Sequence, residues 1–392
     1  MKYNFDEVID RKGTHAMKVE RLPKGADKDS LALWVADMDF ACAEPILKAL
    51  HERIDRKIFG YTMYDADECM DAVTGWMKKR YGWEESRENL FFCPGVVAAY
   101  AALINLLTER GDGIVLQRPI YYPFTNKANS NGRIPVDNAL IYENGAYRID
   151  FEDLDRKMAD PANKVLVVCS PHNPTGRVWE QWEVEKAMEI YQKHDVYVIS
   201  DEIWSDILLN GHKHVPTQSV SEDARQRTVA LYAPSKTFNL AGLIGSYHII
   251  YNDWLRDRIL KESSLSHYNS MNLLSMYALI GAYKPEGYEW VDELKEVLSG
   301  NINYACDYIE KHFEGIHVSK PEGTYMLFLD CTEWCQKHGK SITELQAAGI
   351  EVGVIWQDGV AFHGPCHIRM NLALPFSRVK EAFERLDKYV FN

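Results

Sequence analysis

The chain has 392 residues, 46% of them hydrophobic, with 57 acidic against 44 basic residues and a formal net charge of −13. That length supports two or three domains with large apolar cores, and an acidic chain without a Lys/Arg-rich block excludes nucleic acid as a partner. No apolar run approaches the ~18 residues of a membrane helix, the start Met1-Lys2-Tyr3-Asn4-Phe5-Asp6 has no signal-peptide core, and the eight cysteines are too scattered for a disulfide framework or a zinc site, so a soluble, cytoplasmic protein without a metal is expected.

In chain order, Trp34-Val35-Ala36-Asp37-Met38-Asp39-Phe40 and Phe59-Gly60-Tyr61-Thr62 come first. Cys93-Pro94-Gly95-Val96-Val97-Ala98-Ala99-Tyr100 then turns from a strand into an Ala/Leu-rich helix ending near Arg110-Gly111. Glycine at such an opening lets backbone N–H groups face an anion, and the helix dipole adds attraction. Short apolar runs near 113–117, 165–169, 196–200, 228–233 and 246–251 alternate with helical stretches such as Glu180 to His194. This alternation predicts a mostly parallel α/β sheet. Continuous Val/Ile-rich runs mark strands covered on both faces, and ligands of open parallel sheets sit beyond the carboxyl ends of such strands.

Three of those ends are polar. Val165-Leu166-Val167-Val168-Cys169 runs into Ser170-Pro171-His172-Asn173-Pro174-Thr175-Gly176, Val196-Tyr197-Val198-Ile199-Ser200 into Asp201-Glu202, and Val229-Ala230-Leu231-Tyr232-Ala233 into Pro234-Ser235-Lys236. Asn173, Asp201 and Lys236 are therefore expected to converge. Past Pro285 come a charged amphipathic segment at 286–313, strand-like runs at 324–329, 352–356 and 367–373, and a helix at 377–390. The pattern predicts a large domain over 45–285 and a smaller α+β domain made of 1–44 and 286–392.

A lysine at the exit of a buried strand is out of place unless its amine has chemical work, because desolvation lowers its pKa and makes it nucleophilic. Read singly, each group has a plainer explanation. Lys236 could be a solvated strand cap, Asp201 a helix N-cap and Asn173 a turn residue bonded to its own backbone. Arg369, a charge inside the strand-like run Cys366-His367-Ile368-Arg369-Met370-Asn371-Leu372, suits either a structural ion pair or a carboxylate ligand.

The order Asn-Pro-x-Gly, then Asp, then Ser-Lys resembles the fold-type I pyridoxal 5′-phosphate (PLP) enzymes. Trp34 to Phe40, Phe59 to Thr62, Pro119-Ile120-Tyr121-Tyr122-Pro123-Phe124 and Ala233-Pro234-Ser235-Lys236-Thr237-Phe238-Asn239 resemble more narrowly the MalY/PatB branch, which includes the cystathionine β-lyases and cystalysin. The likeness spans roughly Asp37 to Arg369. It implies an α/β, PLP-dependent transferase fold, with a mostly parallel seven-stranded sheet in the large domain and a smaller α+β domain.

The resemblance also implies roles. Lys236 would carry PLP as a Schiff base, Asp201 would keep the pyridine nitrogen protonated, and Asn173 would donate to the phenolic oxygen. Gly95, Val96, Val97 and Ser235 would cup the phosphate, joined by Tyr61 from a second subunit, and Tyr121 would stack on the ring. Arg369, Asn173, Ala36 and Tyr122 would bind substrate, with Tyr122 a candidate catalytic residue beside Lys236 and Asp201.

Two positions depart from the wider family. Trp204 stands where a tyrosine often serves the phenolic oxygen; as a bulky donor through Nε1 alone it is expected to shape the pocket wall. Ile244 stands where many aminotransferases place a phosphate-binding arginine. The implied reaction is α,β-elimination from L-cystathionine or an L-cysteine-type amino acid to pyruvate, ammonia and a thiol or sulfide, by a homodimer with its active site at the subunit interface. An aminotransferase is the nearer alternative. A regulatory binding protein with residual lyase activity and a protein partner is the alternative from another class.

Overall fold

A computed structural model describes residues 1–27, 29–266 and 269–391. Seven strands form the main sheet: β1 Leu90–Cys93, β2 Gly113–Arg118, β3 Ile134–Ala139, β4 Asn163–Cys169, β5 Tyr197–Asp201, β6 Thr228–Tyr232 and β7 Ser246–Ile249. Their spatial order is β1-β7-β6-β5-β4-β2-β3, and β7 alone runs antiparallel to its neighbours. The unbroken Val/Ile runs follow from burial on both faces. Val165, Val167 and Cys169 of β4 enter one apolar cluster while Leu166 and Val168 enter another, as the two-residue pleat requires. Strand β3 escapes apolar pattern reading because it is a half-exposed edge carrying Pro135, a residue that only an edge tolerates.

Register places the chemistry. Cys169 pairs with Asp201 and Asp201 with Leu231, so β4, β5 and β6 end at one level and their following turns emerge side by side. The helix after β4 covers Gln181–Lys193, its start fixed by a reciprocal capping box between Glu180 and Glu183.

The C-terminal part builds a four-stranded antiparallel sheet in the order β8-β9-β11-β10, from β8 His317–Val318, β9 Met326–Asp330, β10 Gln357–Asp358 and β11 His367–Asn371. The strand expected at 352–356 is shorter and lies elsewhere: Val354–Ile355 pairs in parallel with Leu31–Ala32, and only Gln357–Asp358, past Trp356, joins this sheet. The closing helix is shorter than expected, Phe376–Leu386, and gives way to a π-helical turn at Asp387–Phe391.

One apolar cluster joins the two sheets. It contains Trp290, Val291, Leu294, Leu298, Ile302 and Ile309 of the helix Pro285–His312, together with Tyr232 and Tyr247 of the large sheet and Ile368 and Met370 of β11. Their spacing of three and four residues puts one face of that helix against both. No described helix is long and apolar enough to cross a membrane.

The helix Leu273–Ala282 lies close on Glu44–Ile54, with Gly281 at the contact. A methyl group there would sit 2.6 Å from the Pro45 carbonyl oxygen and 2.9 Å from Ile46 Cα. Gly→Ala inside a helix ordinarily gains up to ~1 kcal/mol, but backbone cannot yield as a side chain can. Gly281→Ala is therefore expected to destabilise the protein by about 1–3 kcal/mol. Thermal unfolding checks the sign, and a raised Tm would contradict the close approach.

Candidate active site

Asn173 and Lys236 lie in the turns after β4 and β6, and Asp201 is the last residue of β5 between them. Lys236 sits in the four-residue helix Pro234–Thr237, its amine donating to the Ala36 carbonyl oxygen at 2.9 Å and standing 5.5 Å from the centre of the Trp204 ring. Burial and the nearby Arg369 pull its pKa down to about 8 against the attraction of Asp37 and Asp201. Asp201 is 4% exposed and accepts from the Ile203 N–H at 3.2 Å. Burial pushes its carboxyl up to about 7, outweighing that hydrogen bond and the pull of Lys236. Trp204 is buried edge-on against Tyr325 at 4.7 Å and forms a wall beside the amine.

Arg369 reaches this site from β11. Its Nη1 donates to Asn173 Oδ1 at 3.2 Å and its Nη2 to the Trp34 carbonyl oxygen at 3.1 Å, while the Phe362 ring lies 4.6 Å from the guanidinium. Among the described residues no carboxylate pairs with it, and its buried Nε has no acceptor. Its pKa is lowered to about 10 by burial. The structural ion pair is thereby removed as its explanation. A buried cation without a counter-charge is costly, and the arrangement fits an incoming carboxylate. Tyr121 and Tyr122 lie 5.5 Å apart, Tyr122 edge-on to Phe362 at 5.4 Å; burial, chiefly, raises Tyr121 to about 12.

The helix Val96–Leu107 opens at the end of β1, and Gly95 before it has φ 114°, where L side chains are strained. The Gly95 N–H, expected to face an anion, is taken within the protein: it donates to Ser246 Oγ at 3.1 Å, which in turn lies 2.8 Å from Cys93 Sγ. The open donors are the first-turn N–H groups of Val96 and Val97, which have no acceptor within the helix. The partly buried Ser235 hydroxyl makes no hydrogen bond among the described residues. Exposed Ile244 flanks the loop, so no arginine charge stands there. Tyr61 is fully exposed, Ile58, Phe59 and Met63 nearby are largely so, and the fold of one chain does not bring Tyr61 into this site.

Sequence reading missed what holds Ala36. Asn371 donates to the carbonyls of Val35 and Asp37, and Tyr325 to that of Ala36. Asn239 grips both the N–H and the carbonyl of Met38, each at 2.9 Å. Buried Lys18 pairs with Asp39 at 3.0 Å, and Arg11 pairs with Asp37 and Asp39 at 2.8 and 2.7 Å. These are single polar residues far apart in sequence, and no local pattern marks them.

The residues present fit PLP, the group that the sequence resemblance implies. Lys236 offers a neutralisable amine, Asp201 a carboxylate for a ring nitrogen, Asn173 Nδ2 a donor without a protein partner among the described residues, and the Val96–Val97 turn an anion site.

Comparison with known proteins agrees with this geometry. A family model described as Aminotransferase class I and II matches residues 28–386. The cystathionine β-lyase PatB of Bacillus subtilis is 38% identical over 387 residues, covering 98% of each chain. Cystalysin from Treponema denticola, solved with pyridoxal 5′-phosphate, superposes with a TM-score of 0.93 at 32% identity over 99% of this chain and 98% of its own. The PLP-bound C–S lyase from Staphylococcus hominis does so at 0.91, with 34% identity over 99% and 98%.

Asp201 makes a sign-definite prediction for the protein without cofactor. Its ionised form is disfavoured by burial, so the cost is absent below the ordinary carboxylate range and grows as pH rises from about 4 to about 7. Asp201→Asn should match wild-type stability near pH 4 and exceed it at pH 8, by at most about 4 kcal/mol if the full shift is expressed. Denaturant unfolding at both pH values measures this; an equal difference at both would mean altered packing instead.

Proposed function

The chain belongs to the aminotransferase class I and II family and has the fold-type I architecture, and on that premise we propose that it is a PLP-dependent carbon–sulfur β-lyase, eliminating a thiol or sulfide from L-cystathionine or an L-cysteine-type substrate. When bound, PLP supplies an electron sink for the bond broken at Cα. Lys236 holds it and afterwards moves the Cα proton as general base, a task suited to an amine whose proton affinity burial has lowered to about 8. Asp201 would set its carboxylate against the ring nitrogen, Asn173 would donate to the phenolic oxygen, Val96, Val97 and Ser235 would bind the phosphate, and Tyr121 would stack on the ring, with Trp204 as the wall behind Lys236.

Arg369 carries the reading. It is buried, lacks a carboxylate among the described residues, and is tied to Asn173 at 3.2 Å, so a substrate α-carboxylate would complete its partners beside the reacting carbon. Ala36 borders the same space through its bond to Lys236, and Tyr122 faces the substrate side chain. Elimination is favoured over amino transfer by the lyases among its relatives and by Ile244, which leaves the cup without the transaminases' arginine.

In this proposal residues 45–285 form the cofactor domain, while 1–44 and 286–392 supply Ala36 and Arg369. A homodimer completes the site. The exposed apolar stretch Ile58, Phe59, Tyr61 and Met63 would pack on the second subunit, with Tyr61 reaching its phosphate cup. A cytoplasmic location is supported by eight cysteines that form no disulfide.

Lys236→Ala is expected to abolish the visible absorbance of bound cofactor and all pyruvate formation; normal turnover of L-cystathionine by that variant would overturn the reading. Arg369→Lys should raise KM about tenfold or more and leave cofactor affinity unchanged, since it loses bidentate geometry and not charge. Pyruvate and sulfide release without any added keto acid separates the lyase from a transaminase.

A further inference from the structure

One buried carboxylate behind the lysine has no part in the chemistry above. Asp206, 8% exposed, follows Asp201 by five residues. Its Oδ1 accepts from the Tyr81 hydroxyl at 2.8 Å and from Trp76 Nε1 at 3.2 Å, and its Oδ2 accepts from the Thr237 hydroxyl at 2.9 Å. Among the described residues it has no ion-pair partner, so neutral donors alone balance its charge. Such a carboxylate contributes little to stability compared with an apolar side chain of similar size, but it holds its donors in a defined arrangement.

What it holds is the turn bearing Lys236. Thr237 is fully buried and adjacent to the lysine in the short helix Pro234–Thr237. The end of β5 and the loop after it therefore meet that turn three times in six residues, 201–206. Asp201 attracts the amine, the Trp204 ring stands 5.5 Å from it, and Asp206 binds its neighbour. The Tyr81 hydroxyl also lies 2.7 Å from Ser205 Oγ, tying the same loop to the helix Asp67–Tyr81.

We infer that Asp206 is a positioning residue, clamping Thr237 to the β5 loop and so keeping the Lys236 amine in register with Asp201. The inference rests on Lys236 as the cofactor-bearing lysine. A displacement of the amine of a few tenths of an ångström changes both its proton affinity in the loaded enzyme and its line of approach to Cα.

The test is a pH titration of the visible absorbance of holoenzyme, with kcat and KM measured alongside. Asp206→Asn and Thr237→Val should shift the absorbance midpoint in the same direction by about half a pH unit or more, and their combination should shift it no further than the larger single change. Thr237→Ser, which keeps the hydroxyl, should restore the wild-type midpoint. Both damaging variants should lose about tenfold in kcat with KM within about twofold. A lowered Tm with unchanged midpoint and kcat would reduce Asp206 to a structural role and overturn the inference. Should Asp206→Asn not fold, Thr237→Val with its serine counterpart carries the test. If the visible band instead survives in Lys236→Ala, the lysine assignment itself fails, a result distinguishable from all of these.

Discussion

The site depends on a strap of irregular backbone whose carbonyls are answered by side chains from distant parts of the chain. From Trp34 to Met38 five consecutive carbonyl oxygens accept, in turn, from Arg369, Asn371, Lys236 with Tyr325, Asn371 with Lys18, and Asn239 with Arg11. A segment outside helix or sheet has no ladder to satisfy these groups, and leaving them unpaired in a partly buried cleft would cost more than any one bond returns. Satisfying them draws the lysine turn and β11 to one line. The amine and the guanidinium are thus fixed relative to each other through the backbone they share.

That arrangement leaves the site electrostatically incomplete. Lys236 is partly discharged by burial, Asp201 is held back from ionising by the same cause, and Arg369 is buried without an anion among the described residues. Each would be a fault in a core chosen for stability alone. Together they match the charges of a zwitterionic amino acid and an anionic cofactor, and the apolar burial in the surrounding clusters offsets what the site costs. Ile244 brings no charge to the loop at Gly95, and Trp204 presents a ring face to the Lys236 amine.

Legibility followed the range of the forces involved. Doubly covered strands leave long Val/Ile runs, so β4, β5 and β6 could be read with their polar ends, and with them Asn173, Asp201 and Lys236. The edge strand β3 and the split at 354–358 could not, because exposure or a change of partner erases the period. The Gly95 amide shows the limit of a local motif. A glycine before a helix was legible as an anion site, yet Ser246 from an antiparallel strand far along the chain already accepts the hydrogen bond of its N–H.

By itself, then, the sequence determined the α/β alternation, the three polar strand ends and the residue types of the chemistry, because period and composition are local and survive without coordinates. Only the tertiary structure decided that Arg369 lacks an ion-pair partner among the described residues, that Asn239, Asn371 and Lys18 hold the strap, that Asp206 answers Thr237, and that Tyr61 faces outward from its own chain. Most of those facts concern which donor meets which acceptor across separations that run from 19 residues for Lys18 and Asp37 to 336 for Asn371 and Val35. Packing and register settle them, and neither leaves a mark on any short stretch of chain.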